Sequence, residues 1–183
     1  SEFSAQGQSF YAASGDNGAY TNAIFETTNI LIYQPTTYPN MTAVGGTVMT
    51  LAQHGGPWVS ETAWSGSGGG WDPDVAIPSY QQGISMTANH GSTQYRNVPD
   101  ISMQAVNLYS IRNNGILVPT SGTSASAPLM AGFTALVNQQ AAANGRPPVG
   151  TINAAIYNIG QSAQAAAAFH DITSGNNTNS RSP

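Results

Sequence analysis

The stretch SAPLMAGFTALVNQQAAANG, residues 126–145, constrains the fold more than any other. Its apolar residues recur at helical spacing, and it closes on Asn144–Gly145, a favourable helix stop. Pro128 is expected near the helix start, where a missing N–H costs little. Almost everything before this run has a different pattern. QSFYAAS (8–14) reads as a strand after a short helix end, and GDNG (15–18) as a turn. NILIYQPTTYP (29–39) reads as an apolar strand broken by proline. MTAVGGTVMTL (41–51) alternates and is rich in β-branched residues, which predicts a strand bent at its glycine pair. Residues 52–83, with clustered Gly, Ser and Pro, read as loop. VPDISMQA (98–105) reads as a short strand, and LYSIRNNGILVPT (108–120) as a hairpin turning at Asn114–Gly115. GTINAAIYNIG (150–160) predicts a second, shorter helix capped by Gly160. Strands followed by helices imply an α/β layered domain with a partly parallel sheet. The chain's 183 residues suffice for one such domain with a core.

Charge narrows the partners. Only 7 % of residues are charged, against about a quarter in typical domains. There is no lysine; four arginines face eight acids, for a net charge of −4. No basic surface for phosphate can be built, so a nucleic-acid partner is excluded, as is attraction to an anionic membrane. No transmembrane run is present. Few carboxylates and a Ser/Thr/Asn/Gln/Gly surface suit an acidic environment, because little ionised charge is lost on protonation. A secreted protein with a neutral polar surface fits the same composition. The absence of cysteine removes disulfides, thiolate metal sites and cysteine nucleophiles.

In TSGTSASAPLMAG (120–132), Ser124 stands between a glycine turn and the long apolar run. A nucleophile at a helix N-terminus gains from the positive local potential and from free backbone N–H groups that hold an oxyanion. A serine opening a buried helix is also a common N-cap. The wider pattern separates these uses. SGTSASAP resembles the S-G-T-S-x-x-x-P nucleophile motif of the sedolisin family, the serine-carboxyl peptidases. ASGDNGAY, TAVGGTVMTL, SETAWSGSGGGWDPDVAIPSYQ, RNVPDISMQA and FHDITSGNN resemble further segments of that family, in its order, along nearly the whole chain. The resemblance implies a subtilisin-like layered α/β fold with a mainly parallel sheet, incomplete at its N-terminal side. Residues 1–183 would be the C-terminal portion of a peptidase catalytic domain.

The resemblance assigns Ser124 as nucleophile and Asp16 to the oxyanion hole, where subtilisin-like enzymes use an asparagine. An ionised carboxylate would repel a developing oxyanion; a protonated one donates a hydrogen bond to it. The assignment therefore implies an acidic optimum. Asn17 is the neighbouring amide, and Asp-Asn-Gly is also ordinary turn chemistry. A histidine base would have to be His54, His90 or His170, none of which precedes the ASGDNG turn. In sedolisins the base is a glutamate oriented by an aspartate on one helix, far N-terminal to the oxyanion aspartate. Only Glu2 precedes Asp16 as an acid here, so the pair is expected outside this chain. Glu61 and Asp100 match other family positions. An inactive fragment or pseudo-peptidase, with a peptide-binding or structural role, is the competing reading.

Two further expectations follow from the resemblance. Asp171 and the carbonyl of Ile172 match the start of the family's Ca²⁺ site, about half of its ligand shell. The glycines Gly68, Gly69 and Gly70 are expected to line a substrate groove, where bare backbone can pair with an extended peptide. A peptide or protein substrate, an N-terminal portion of the same domain as partner, and a secreted or otherwise acidic location complete the reading. A carbohydrate-binding module using Trp58, Trp64 and Trp71 would leave the motifs unexplained.

Overall fold

The computed structural model describes residues 2–19, 32 and 34–178. The chain runs α1 (Glu2–Ala5), β1 (Tyr11–Ala13), β2 (Thr42–Leu51), β3 (Trp58–Ala63), β4 (Gly70–Ala76), a 3-10 turn (Ser79–Gln81), β5 (Tyr95–Val98), β6 (Ile101–Gln104), β7 (Leu108–Arg112), β8 (Ile116–Thr120), α2 (Thr123–Ala143), α3 (Asn153–Gly160) and α4 (Ala165–Ala168). This is the expected α/β architecture.

β2 is the axis of the central sheet. Val44 pairs with Ala13 of β1 and with Ile101 of β6, both parallel, so those strands flank β2 on opposite sides. The second half of β2 pairs antiparallel with β3, from Thr47↔Ala63 to Leu51↔Trp58. Period-2 alternation sends Tyr11, Ala13, Val44, Ile101 and Met103 to one face, where they pack with Ala127 and Met130 of α2 and with Ile152 and Ile156 at α3. The other face places Ala43 with Ile32 and Val98. β4–β5 and β7–β8 form two separate antiparallel pairs.

The predicted hairpin is present, with Asn113, Asn114 and Gly115 all at positive φ in its turn. The strand at 8–14 shortens to β1. Of the strand expected over 29–39, residues 29–31 and 33 lie outside the described residues, and 34–37 form a turn rather than strand.

Several local expectations change. Gly45 and Gly46 do not bend β2; both sit in regular pairing with β6. They are glycines because neighbours approach too closely. A Cβ on Gly45 would lie 2.6 Å from Ser102 Oγ, and one on Gly46 2.6 Å from Ala105 Cβ and 2.8 Å from Trp64. The supposed loop 52–83 contains β3 and β4. Pro73 is tolerated in β4 because the strand pairs on one side only. Gly160 is the last residue of α3, followed by a right-handed Gln161 cap, so no left-handed glycine ends that helix. Pro128 lies more than one turn into α2 and deprives the Ser124 carbonyl of its helical N–H partner.

A buried ion pair joins these layers. Arg96 donates to both oxygens of Asp100, at 2.7 and 2.5 Å, and both side chains are fully buried. Burial opposes the Arg96 charge, but Asp100 outweighs it and holds the guanidinium pKa up. Asp100 also accepts from the Ala43 N–H (2.8 Å) and from the Tyr157 hydroxyl (3.0 Å). Burial, with help from Asp100, raises the Tyr157 pKa and keeps that hydroxyl a donor. Gln81 donates to Tyr157 and to the Asn97 carbonyl, both at 2.7 Å. Asn153 at the start of α3 receives the Thr42 hydroxyl (2.6 Å) and donates to the Met41 carbonyl (3.0 Å). Asp100→Ala would leave the Arg96 charge buried alone. It should lower stability by about 3–5 kcal/mol, read from the urea midpoint; a loss under about 1 kcal/mol, as for a surface pair, would contradict this role.

Candidate active site

Asp16 follows the carboxyl end of β1, and α2 is tied to the carboxyl end of β6. Both thus lie at the strand ends where open α/β sheets place their ligands. Ser14 N–H donates to the Val44 carbonyl (3.0 Å), so β1 keeps its register until just before the Gly15–Asp16 turn.

Hydrogen bonds from three successive parts of the sequence pin the start of α2, at Gly122, Thr123 and Ser126. The Gly122 N–H donates to the Ala105 carbonyl at 2.7 Å. The Ser126 hydroxyl points at the Met103 and Gln104 carbonyls, 3.2 and 3.1 Å away. The Thr123 N–H donates to Asp16 Oδ1 at 2.7 Å. Ser124 sits between the fully buried Thr123 and Ser126 and is itself exposed. Its hydroxyl bonds to no other described residue.

Asp16 is exposed, yet its carboxyl is fixed. Besides the Thr123 N–H, Oδ1 faces the Thr123 hydroxyl at 2.8 Å. That hydroxyl accepts the Gly15 N–H at 3.0 Å. Oδ1 is thus the oxygen engaged by Thr123, and Oδ2 lies on the side of Gly122. Gly122 makes the approach possible. It has φ 111°, and a Cβ there would lie 2.5 Å from Asp16 Oδ2. Asp16 rather than Asn17 therefore reaches the residue preceding Ser124. Thr123 had no assigned role in the sequence reading, although it stands inside the SGTS string.

The glycine loop packs on the Asp16 turn. Gly68 N–H donates to the Gly15 carbonyl at 2.7 Å, and a Cβ on Gly68 would overlap the Ser14 carbonyl. Gly69 bridges to Ala19, and Gly70 pairs with Val98. Gly68 and Gly69 are buried. Gly68 and Gly69 thus back residues 14–19, and at Gly68 only bare backbone fits.

The other ionisable candidates are occupied elsewhere. Asp100 belongs to the buried pair with Arg96. Glu61 accepts the Thr47 hydroxyl and lies 3.3 Å from His170 Nδ1. His170 also packs on Trp58, with ring centroids 4.2 Å apart. Trp71 stacks on Tyr95, and Trp64 fills the space beside Gly46 and Gly66. His54 and His90 are exposed turn residues.

Asp171 is exposed, and the next residues anchor elsewhere. The Ser174 carbonyl accepts from Ala63 N–H and the Asn177 carbonyl from Ala19 N–H, both at 2.8 Å. No group of three or more His, Cys, Asp or Glu side chains among the described residues is arranged to hold a metal ion. No helix among the described residues is long and apolar enough to cross a membrane.

The subtilase family profile matches residues 2–167. The chain is 35 % identical over 182 residues to a probable tripeptidyl-peptidase SED2 of Trichophyton verrucosum, covering 92 % of this chain and 28 % of that protein. It is 33 % identical over 153 residues to kumamolisin of a Bacillus species, covering 78 % and 26 %. The fold superposes on Pseudomonas sedolisin, a serine-carboxyl proteinase solved with pseudo-iodotyrostatin. That match has TM-score 0.73 and 30 % identity, and covers 95 % of this chain and 48 % of the other. The chain thus spans under a third of these curated relatives and about half of the solved sedolisin.

Gly122→Ala tests the clamp. Its strained φ and its Cβ contact should push the Asp16 carboxyl away from Thr123 and cost about 1–3 kcal/mol, measured by unfolding and by the variant's structure. An unmoved carboxyl would contradict the packing argument.

Proposed function

Because the chain belongs to the subtilase family and is a sedolisin relative over nearly its whole length, we propose that it is the C-terminal portion of a serine-type endopeptidase domain working at acidic pH on peptide or protein substrates. The observation that carries the reading is the Asp16 carboxyl held at 2.7 Å on the Thr123 N–H, one residue from the exposed Ser124. A nucleophile and an acid fixed at one helix N-terminus match an acyl-transfer site.

In this reading Ser124 Oγ attacks the scissile carbonyl while a carboxylate base takes its proton. The carbonyl oxygen becomes an oxyanion and receives a hydrogen bond from the Asp16 Oδ2 proton and the positive end of α2. Thr123 orients Asp16 through Oδ1 and leaves Oδ2 to the substrate. Asp16 helps only while protonated, hence the acidic working range. That range and the charge-poor composition suit secretion or another acidic compartment.

Neither Glu61 nor Asp100 is placed as the base, since each is committed to other partners. The Glu/Asp base pair is therefore assigned to residues outside these 183. A calcium site at Asp171 and Ile172 likewise needs oxygen ligands from beyond the described residues, and no step depends on it.

Peptide hydrolysis at about pH 4 tests the reading. Ser124→Ala should abolish cleavage in the complete enzyme; cleavage that survives would overturn the nucleophile assignment. Asp16→Ala should lower kcat about 10²–10³-fold. Asp16→Asn keeps a donor at every pH and should carry activity toward neutral pH. A kcat–pH profile identical to that of the parent would refute the protonated-donor role.

A further inference from the structure

We infer that Asn40 and Asn176 are acceptor sites for N-linked glycan, added as the protein passes through a glycosylating secretory route. Asn40-Met41-Thr42 and Asn176-Asn177-Thr178 are the only two strings in the chain with asparagine, a residue other than proline, and then serine or threonine. That pattern is the acceptor sequence for N-glycosylation and belongs on a surface loop. Both asparagines meet this condition. They are exposed and lie outside every helix and strand, Asn40 in the turn before β2 and Asn176 in the segment after α4. A glycan at either place projects into water without displacing a packed side chain.

The backbone around each acceptor is fastened from behind. The Pro39 carbonyl accepts the Tyr80 hydroxyl at 2.7 Å and the Met41 carbonyl accepts Asn153 Nδ2 at 3.0 Å, with Asn40 between them. The Asn177 side chain donates to the Ser67 carbonyl at 2.9 Å, and its carbonyl accepts the Ala19 N–H at 2.8 Å. Asn176 and Thr178 stand exposed on either side of that anchor. Asn176 Oδ1 accepts the Thr178 N–H at 3.1 Å, which leaves Nδ2, the atom that takes the sugar, outside that bond. The third positions differ. Thr178 is exposed, whereas Thr42 is buried and its hydroxyl donates to Asn153 Oδ1 at 2.6 Å. The transferase recognises that hydroxyl, so Asn40 is modified before β2 folds. In the transfer, Nδ2 bonds to the anomeric carbon of a lipid-diphosphate-linked oligosaccharide. The bond from that carbon to the diphosphate oxygen breaks, the lipid diphosphate leaves with the electron pair, and the amide gives up one proton. The benefit is hydration. Only 7 % of residues are charged, and acid neutralises the carboxylates among them, so little ionised charge keeps the surface soluble. Bulky, solubilising glycans do so at any pH. The inference rests on the secretory location proposed above.

Mass spectrometry of the complete protein, secreted from a eukaryotic host in its Ser124→Ala form, tests the assignment without needing catalysis. Release of the glycans by peptide N-glycosidase in heavy-oxygen water should turn Asn40 and Asn176 into labelled aspartates. On a gel, Asn40→Gln and Asn176→Gln should each remove one of two mass steps; both positions are exposed, so the loss does not depend on a folding defect. Thr178→Val should abolish modification of Asn176, and Thr178→Ser should keep it. Secreted protein with neither asparagine labelled would overturn the proposal, and a label at only one would overturn it at the other. Because the host supplies the secretory route, failure of the proposed location shows separately, as native protein missing from the medium and from acidic compartments. Failure of the peptidase reading would show as glycosylated parent protein without Ser124-dependent hydrolysis.

Discussion

The buried Arg96–Asp100 pair holds the layers of this domain in register. A guanidinium and a carboxylate removed from water are costly unless each is fully bonded. Here both terminal nitrogens of Arg96 and both oxygens of Asp100 find partners by recruiting several elements at once, and only the buried Arg96 Nε has none among the described residues. Arg96 comes from β5 and Asp100 from the turn before β6. The Ala43 N–H belongs to β2, Gln81 to the 3-10 turn, and Tyr157 to α3. No pair of these elements can shift without leaving a buried polar group short of a partner. The apolar core beside it is small, so this polar network contributes specificity that the core alone would not.

That register matters because the candidate site spans two separate parts of the chain. Asp16 comes off β1 and Ser124 off α2, more than a hundred residues later. They meet because β1 and β6 flank the same strand and their carboxyl ends lie at the same end of the sheet. Three tight backbone approaches then bring the turn and the helix together. Gly46 admits Trp64 and Ala105, Gly68 admits the Ser14 carbonyl, and Gly122 admits the Asp16 carboxyl. A methyl group at any of the three positions would push apart surfaces that must touch.

Legibility in the sequence followed the range of the forces involved. The 108–120 hairpin and the 126–145 helix were readable because turn chemistry and helical periodicity are local. β3 and β4 were hidden in a glycine-rich stretch because their strand character comes from partners elsewhere, β2 and β5. The glycine pair in β2 looked like a bend and proved to be clearance for Trp64, Ala105 and Ser102, which no local pattern encodes. The packing of Gly68 on the Ser14 carbonyl was hidden for the same reason: space left for neighbouring backbone looks in sequence like space left for a ligand. Ser124 and Asp16 were legible through family motifs. Thr123, whose hydroxyl and N–H position Asp16, was not, because its role exists only when residues 107 apart are brought together.

The composition of α2 explains why one acid can matter so much at its start. The helix has no acidic residue in its first turn and no basic residue in its last. Nothing on the helix itself neutralises the positive potential of its opening N–H groups. Its Gly122 cap contributes no side-chain hydrogen bond either. Asp16, from the turn after β1, takes the Thr123 N–H that an N-cap side chain would normally take. The capping group is thereby moved off the helix and onto the sheet. The residues flanking Ser124 stay small, and Ser124 is exposed. A serine or aspartate at position 122 would cap the same N–H locally, but its Cβ would occupy the place of the Asp16 carboxyl. Glycine at the cap and an acid across the gap are therefore one arrangement, which stabilises the helix end while leaving Ser124 exposed one residue on.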